Sequence, residues 1–249
     1  ELEDETCNAM TVESPAVLGV LDASLGGPHR RSAYALTDVR VYTIAVSDWT
    51  DLAEENLHES VPMLASNASG LVDMGAGFAP ADDAPLRPTL VPPPGGTPGL
   101  FERLMLIRLT RVFGDANIQS LISLARHATD VSLAPGEVLF TVGDATRDIY
   151  IVRGGQLLAE RGPHARHFMA ASVVGDYMAF DDRPRAFSAR ADNAVQLFAI
   201  PFDDLYDVME DRFDLWRAVA RYLAGERLRL QTEASSPRSR PVPVANTAD

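Results

Sequence analysis

The sequence predicts a mainly β domain with flanking α-helices, in the form of a sandwich or barrel, together with part of a second copy. Short β-branched segments separated by glycine turns follow one another between residues 130 and 200. Amphipathic helical segments precede and follow them, at 100–128 and 202–230. A series of residues in the first 66 positions recurs downstream, which indicates a tandem repeat.

Charge and composition exclude several classes of partner. The 249 residues include 22 basic and 35 acidic side chains, a net charge of −13 that repels nucleic acid and anionic membrane surfaces. No apolar stretch reaches the roughly 18 residues of a membrane span, and the acidic start is untypical of a secretory signal. The single cysteine, Cys7, excludes an internal disulfide. We therefore expect a cytoplasmic chain with no nucleic-acid partner, no membrane insertion and no cofactor.

Residues 1–66 form the first predicted unit. Residues 19–31 are rich in turn formers, and residues 32–46 predict two short strands with a turn at Thr37 and Asp38. Residues 47–65 carry Trp49, Leu52 and Leu57 at helical spacing. Residues 67–99 hold seven of the 17 prolines and no periodic apolar face, so they predict a linker suited to polyproline II.

Residues 100–230 form the second predicted unit, which is complete. Helices are expected at 100–112 and 116–128, and strands at 130–133, 138–142, 149–153, 157–160 and 194–200. One long helical region is expected at 202–230. The Ser/Pro/Arg-rich residues 231–249 have no apolar face and predict a disordered tail.

The connection that ends at Ser188, VVGDYMAFDDRPRAFS, contains the parts of an anion site. Gly175 allows the backbone to turn or to approach a ligand closely. Asp176 can accept hydrogen bonds from a sugar hydroxyl, and Arg185 offers a planar set of donors that fits a phosphate. The apolar residues that begin with Tyr177 predict a short helical turn whose free amides face the anion.

The series in the first unit matches this connection with a difference of two residues. Gly19, Pro28, Arg31 and Asp38 correspond to Gly175, Pro184, Arg185 and Asp192. Because the first series begins near its own late strands, residues 1–66 are expected to be the C-terminal part of a degenerate domain. Val20 stands at the acid position and cannot accept a hydrogen bond, so this copy is not expected to bind a ligand.

The order of these parts in residues 100–230 resembles the cyclic nucleotide-binding domain family. The resemblance rests on the leading helices, APGEVLFTVGD at 134–144, DIYIVRGGQL at 148–157, the connection above and the C-terminal helix. It implies a jelly-roll β-barrel of the cupin-like, double-stranded β-helix type, in which the ligand moves the C-terminal helix. It also implies a cyclic nucleotide ligand, possibly cAMP, and a set of ligand-binding residues: Gly175, Asp176, Tyr177, Arg185, Ala186 and Ser188.

Three functions follow from this pattern. The first is a non-catalytic sensor that binds cAMP or cGMP in the second jelly roll and signals through its C-terminal helix to an effector upstream of residue 1 or to a partner protein. The second is a degenerate domain that binds no nucleotide and serves protein contacts, because Met178 and Phe187 stand where the family usually has small residues. The third is a cupin-type metal enzyme with His164 and His167, which we expect to lie in a loop, as ligands. It is disfavoured because no acid and third histidine follow at a suitable spacing.

Overall fold

The computed structural model describes residues 11–30, 32–75, 96–145, 147–181 and 183–234. Its helices are α1 (Val20–Leu25), α2 (Val46–Glu55), α3 (Leu57–Asp73), α4 (Leu100–Leu109), α5 (Ile118–His127), α6 (Asp176–Asp181), α7 (Phe202–Asp211) and α8 (Phe213–Ala234). Its strands are β1 (Thr129–Leu133), β2 (Val138–Phe140), β3 (Ile149–Gly154), β4 (Leu157–Arg161), β5 (His164–Phe168), β6 (Val173–Val174), β7 (Ser188–Ala191) and β8 (Val195–Ile200). None of the described helices is long and apolar enough to cross a membrane.

The strands form two four-stranded antiparallel sheets with flanking helices. Their orders are β1-β8-β3-β6 and β2-β7-β4-β5, which is a jelly-roll arrangement. The mainly β fold is confirmed, but the predicted closed barrel is wrong for the described residues, because the sheets stay separate as a sandwich. Each sheet has one short edge strand, since β6 has two residues and β2 has three.

Alternation along the central strands separates two apolar cores. Ile149, Ile151 and Phe198 face the helices, where they join residues of α3, α5 and α8. Tyr150 and Leu197 face the interior between the sheets with residues of β4, β5 and β7. The sandwich is therefore filled on the inside by one core and covered on one face by the other.

The two strands predicted at 32–46 are wrong, because the structure has no strand there among its described residues. In the second unit, β7 and β8 each pair with two neighbouring strands. The described part of the N-terminal unit contains no strand that could pair in this way. Residues 34–44 leave a series of large apolar side chains in solvent, which we call the exposed segment: Tyr34, Leu36, Val39, Val41, Tyr42 and Ile44.

The helices of the N-terminal unit recur 156 residues later in the second unit. This single offset relates α1 to α6, α2 to α7, and the first residue of α3 to that of α8. The predicted helix at 47–65 is divided at Asn56, and the predicted helix at 202–230 is divided at Arg212. In both cases the shorter helix ends with two acidic residues, Glu54 and Glu55 in α2, and Glu210 and Asp211 in α7.

Several predicted boundaries change. The turn-rich residues 19–31 contain α1, and α3 continues to Asp73, into the range assigned to the linker. Residues 76–95 of that linker and residues 235–249 of the tail lie outside the described residues, while α8 extends into the predicted tail as far as Ala234. The strands predicted at 130–133, 149–153, 157–160 and 194–200 and the helices at 100–112 and 116–128 are confirmed within a few residues.

We expect the exposed segment to bind hydrophobic dyes. Replacing Tyr34, Leu36 and Tyr42 together by serine should lower 1-anilinonaphthalene-8-sulfonate fluorescence, because these side chains are 84%, 78% and 90% exposed. The free energy of unfolding should change by less than about 0.5 kcal/mol per site, as for surface substitutions. Val138→Ser with Val142→Ser is the control, and a large loss of stability in the triple variant would contradict the exposure of this segment.

Candidate functional site

Arg185 lies inside the sandwich, with only 1% of its surface exposed. Its Nη1 donates to the carbonyl of Gly175 at 3.1 Å, and its Nη2 donates to the carbonyl of Asp148 at 2.5 Å. The guanidinium carbon lies 4.5 Å from the ring centre of Phe140 and 5.7 Å from that of Tyr150. Burial lowers the pKa of Arg185, yet a guanidinium remains a cation at neutral pH. Arg185 of the connection at residues 173–188, which we call the cassette, is thus held between aromatic faces and main-chain carbonyls.

Gly175 is required by this position of Arg185. Its φ of 86° lies in the left-handed region, and a Cβ atom built there would lie 2.1 Å from Nη1 of Arg185. The ten-residue step between glycine and arginine, which the sequence linked to phosphate recognition, therefore also has a packing reason.

Three residues that the sequence assigned to the ligand are already bonded within the protein. The amide of Ala186 donates to Sδ of Met178 at 3.1 Å, and Oγ of Ser188 accepts from the amide of Val142 at 2.9 Å. Arg185, as described above, bonds two carbonyls. In this structure the polar groups of these three residues thus bond other groups of the protein.

Aromatic rings fill the space beside Arg185. The Phe187 side chain is 4% exposed, and its ring centre lies 5.4 Å from that of Phe140 and 6.4 Å from that of Phe168. A cavity of about 140 Å³ lies elsewhere, among residues that include Asp130, Arg153 and Gln196. A ligand at Arg185 would have to displace Phe187 and Met178, as the sequence indicated from their bulk.

Asp176 faces the C-terminal helix α8 and is 4% exposed. Its Oδ2 is buried and has no hydrogen-bond partner among the described residues. Burial raises the pKa of Asp176 to about 7, while hydrogen bonds from the amide of Tyr177 and from Tyr222 oppose this shift and the charge of Glu226 adds to it. The carboxyl group therefore contacts α8, a neighbour that the sequence did not suggest.

Tyr177 provides a direct link between the cassette helix α6 and α8. Its hydroxyl lies 2.8 Å from that of Tyr222, and the two rings are parallel with centres 6.1 Å apart. Burial raises the pKa of both phenols, and the charge of Asp176 raises them further. Arg166 of β5 contributes a positive charge to this group, and burial lowers its pKa.

Tyr222 and Arg166 were missed by sequence reasoning. Tyr222 lies in the same helix as the apolar stripe of Leu215 and Leu223 and gives no separate signal. Arg166 lies on β5, where the sequence indicated a loop.

The histidine pair predicted in a loop lies in strand β5. Residues three apart on a strand point to opposite faces, so His164 and His167 do not converge on one ion. His167 instead lies 3.6 Å from Asp192. Among the described residues no group of three or more His, Cys, Asp or Glu side chains could hold a metal ion.

Residues 130–212 match the family described as "Cyclic nucleotide-binding domain". The matched residues are less than half of the chain. These residues form a cyclic nucleotide-binding domain. The match spans every strand of the sandwich, the cassette and α7. A search of curated proteins finds no match.

Several solved structures are similar to the chain, at low identity. One is the N-terminal domain of a transcriptional regulator from Streptomyces coelicolor A3(2), with 24% identity, a TM-score of 0.46, and coverage of 53% of this chain and 97% of that one. Another is the sensor domain of the transcriptional regulator DNR from Pseudomonas aeruginosa, with 20% identity, a TM-score of 0.45, and coverage of 55% and 99%. A third, titled cAMP bound PfPKA-R (141-441), has 15% identity, a TM-score of 0.41, and coverage of 45% and 42%.

Gly175→Ala should destabilise the domain more than an alanine at another left-handed glycine. Gly136 has a φ of 81° and open space around its Cβ position, so Gly136→Ala carries only the backbone strain of about 1–2 kcal/mol. At Gly175 the same strain adds to the clash with Arg185. Urea unfolding of both variants measures the difference, and equal losses would show that Arg185 moves aside without cost.

Asp176→Asn should remove a pH dependence of stability. Because burial raises the pKa of Asp176 to about 7, the folded state holds this proton more tightly than the unfolded state does, whose pKa is near 3.9. The resulting stability is complete below about pH 4 and is lost as the pH rises through 7. At about 1.4 kcal/mol per pKa unit, the loss is about 4 kcal/mol at most. Urea unfolding at pH 5 and 8 should show a smaller fall for the variant than for the wild type.

Proposed function

We propose that residues 100–234 form a non-catalytic regulatory module whose cassette binds a cyclic mononucleotide, cAMP or cGMP, and whose C-terminal helix α8 transmits the binding event. One observation supports this most directly. The buried Arg185 and the buried Asp176 lie on one short connection that contacts the sandwich interior at one end and α8 at the other. Such a connection can couple an anion inside the domain to the position of a helix outside it.

The ligand would bind by exchange with groups of the protein. The phosphate would replace the carbonyls of Gly175 and Asp148 at Arg185, since an anionic acceptor makes stronger hydrogen bonds with a guanidinium than a neutral carbonyl does. The amide of Ala186 would exchange its hydrogen bond with Met178 for one with the phosphate. The Phe187 side chain would be displaced by the sugar and base. The closed cassette lowers the apparent affinity in proportion to the small open population.

Movement of α6 would change its contacts with α8. The Tyr177–Tyr222 hydrogen bond and the carboxyl group of Asp176 join the two helices. A ligand that favours one arrangement of α6 therefore shifts the population of α8 conformations.

The second candidate is a domain that binds no nucleotide and uses its fold for protein or intramolecular contacts. A specific observation favours it, namely the packing of Phe140, Phe168 and Phe187 where a ligand would lie. Under this candidate Arg185 serves only to join the cassette to β3.

We also propose that residues 11–73 are the C-terminal part of a second, degenerate copy. The support is the constant offset of 156 residues between the helices of the two units. This offset places Val20 at the position of Asp176 and His29, rather than Arg31, at that of Arg185. His29 is 79% exposed and lies 3.4 Å from Asp22, so this copy lacks both the buried cation and the acid of the cassette.

Isothermal titration of the full chain with cAMP and with cGMP tests the nucleotide site. The wild type should show saturable binding, and Phe187→Leu should tighten it, by about tenfold, because a smaller side chain leaves the site more readily. Arg185→Lys should weaken binding at least tenfold, since lysine cannot bond a phosphate through a planar fork. Thermal unfolding of each variant verifies that it is folded.

The outcome that contradicts the nucleotide site is equally definite. If neither the wild type nor Phe187→Leu releases or absorbs heat at millimolar cAMP or cGMP, the domain binds no cyclic nucleotide and the second candidate is correct.

A further inference from the structure

Helix α3 of the N-terminal unit packs directly on the cassette of the second unit. It lies against α6 and α8, and its Leu64, Ala68 and Leu71 are fully buried in the same core as Phe180. Val72 of α3 also contacts the interior core. The contact thus reaches both sides of the cassette helix.

Arg183 joins the cassette to α3 by polar contacts. Its Nη2 donates to the carbonyl of Ser69 at 3.0 Å and to Oγ of Ser69 at 2.6 Å, and its Nη1 lies 3.1 Å from Oδ1 of Asp73. Its Nε also bonds Asp181, the last residue of α6. One side chain therefore ties the end of α6 to the last two turns of α3.

The position of Arg183 in the chain makes this contact relevant to the site. Only Pro184 separates it from Arg185, and the proline ring fixes one of the backbone dihedrals between them, so the placement of Arg183 restricts that of Arg185. Helix α3 is bonded to α8 as well, through Arg227 and Asn67 at 3.2 Å. The α3 helix therefore contacts both helices that the Tyr177–Tyr222 pair joins.

We propose that α3 holds the cassette in the conformation in which Arg185 and Ala186 bond other groups of the protein, with Arg183 as the positioning residue. The N-terminal unit would then control the access of nucleotide to the second unit. This inference rests on the proposed function for its ligand, but the contact itself can be tested without one. Loss of the Arg183 contact should allow α6 and residues 183–187, which include Arg185 and Phe187, to move together.

Hydrogen exchange of the full chain without nucleotide is the first measurement. In Arg183→Ala the amides of residues 176–186 should exchange about tenfold faster, as expected for the loss of the ion pairs with Asp73 and Asp181 and of two hydrogen bonds to Ser69. Arg190→Ala is the control for the loss of a partly exposed ion pair, because Nε of this arginine lies 3.1 Å from Oε2 of Glu160 in β4. Equal exchange of the cassette in Arg183→Ala and Arg190→Ala would overturn the proposal.

A double-mutant cycle between Arg183→Ala and Asp73→Ala identifies the partner. If α3 is the restraint, the two substitutions together should raise the exchange rate by less than the product of their separate effects. Fully multiplicative effects in this cycle and in the same cycle with Ser69→Ala would mean that Arg183 acts on the cassette independently of its partners on α3, and this would overturn the role of α3.

Titration with cAMP and cGMP then tests the direction of control. Arg183→Ala should bind several-fold more tightly than the wild type, and Arg190→Ala should bind equally. Weaker binding by Arg183→Ala would overturn the proposal that α3 restrains the cassette. If no variant binds nucleotide while exchange accelerates only in Arg183→Ala, the contact stands and the proposed function fails.

Discussion

The contact between Arg185 and Gly175 is the constraint on which the second unit depends. A guanidinium inside a sandwich needs polar partners, because an unpaired buried cation is very costly. The carbonyl of Gly175 can approach only because the residue has no Cβ. The main chain of Arg185 adds two bonds, its amide to the carbonyl of Asp144 and its carbonyl to the amide of Gly143, both at 2.8 Å. One residue thus joins α6, the turn after β2 and the start of β3.

This arrangement gives the cassette two roles that compete. The groups that would recognise a phosphate also stabilise the domain without one, through Gly175, Asp148 and Met178. A ligand gains only the difference between its own bonds and those that it replaces. In the proposed site, the affinity for a ligand would therefore depend on the free energy of opening the cassette, and so on the helices that pack on it as well as on the residues that face the ligand.

Sequence reasoning succeeded where a local pattern determines the structure. β-branched runs between glycine turns identified β1, β3 and β8, and the spacing from Gly175 to Arg185 predicted two residues that the structure brings together. Sequence reasoning failed where the structure of a segment depends on the segment that packs against it. Residues 32–46 have the composition of strands, but a strand forms only beside another one, and the described N-terminal residues offer none. The direction of Asp176 also could not be predicted, since its neighbour Tyr222 lies 46 positions away in the sequence.

The boundary between the two units differs between sequence and packing. The sequence places it in the proline-rich stretch at 67–99, where composition changes. In the structure Ala53 and Leu57 already belong to the same core as the helices of the second unit, and Ser60 bonds the carbonyl of Ala53 at 3.0 Å. The exposed segment before residue 46 shares none of this burial. Helices α2 and α3 therefore pack with the helices of the second unit, although they precede the proline-rich stretch in the sequence. Because α3 continues from this core to the contact with α6, the packing of the N-terminal helices and the position of the cassette are directly linked.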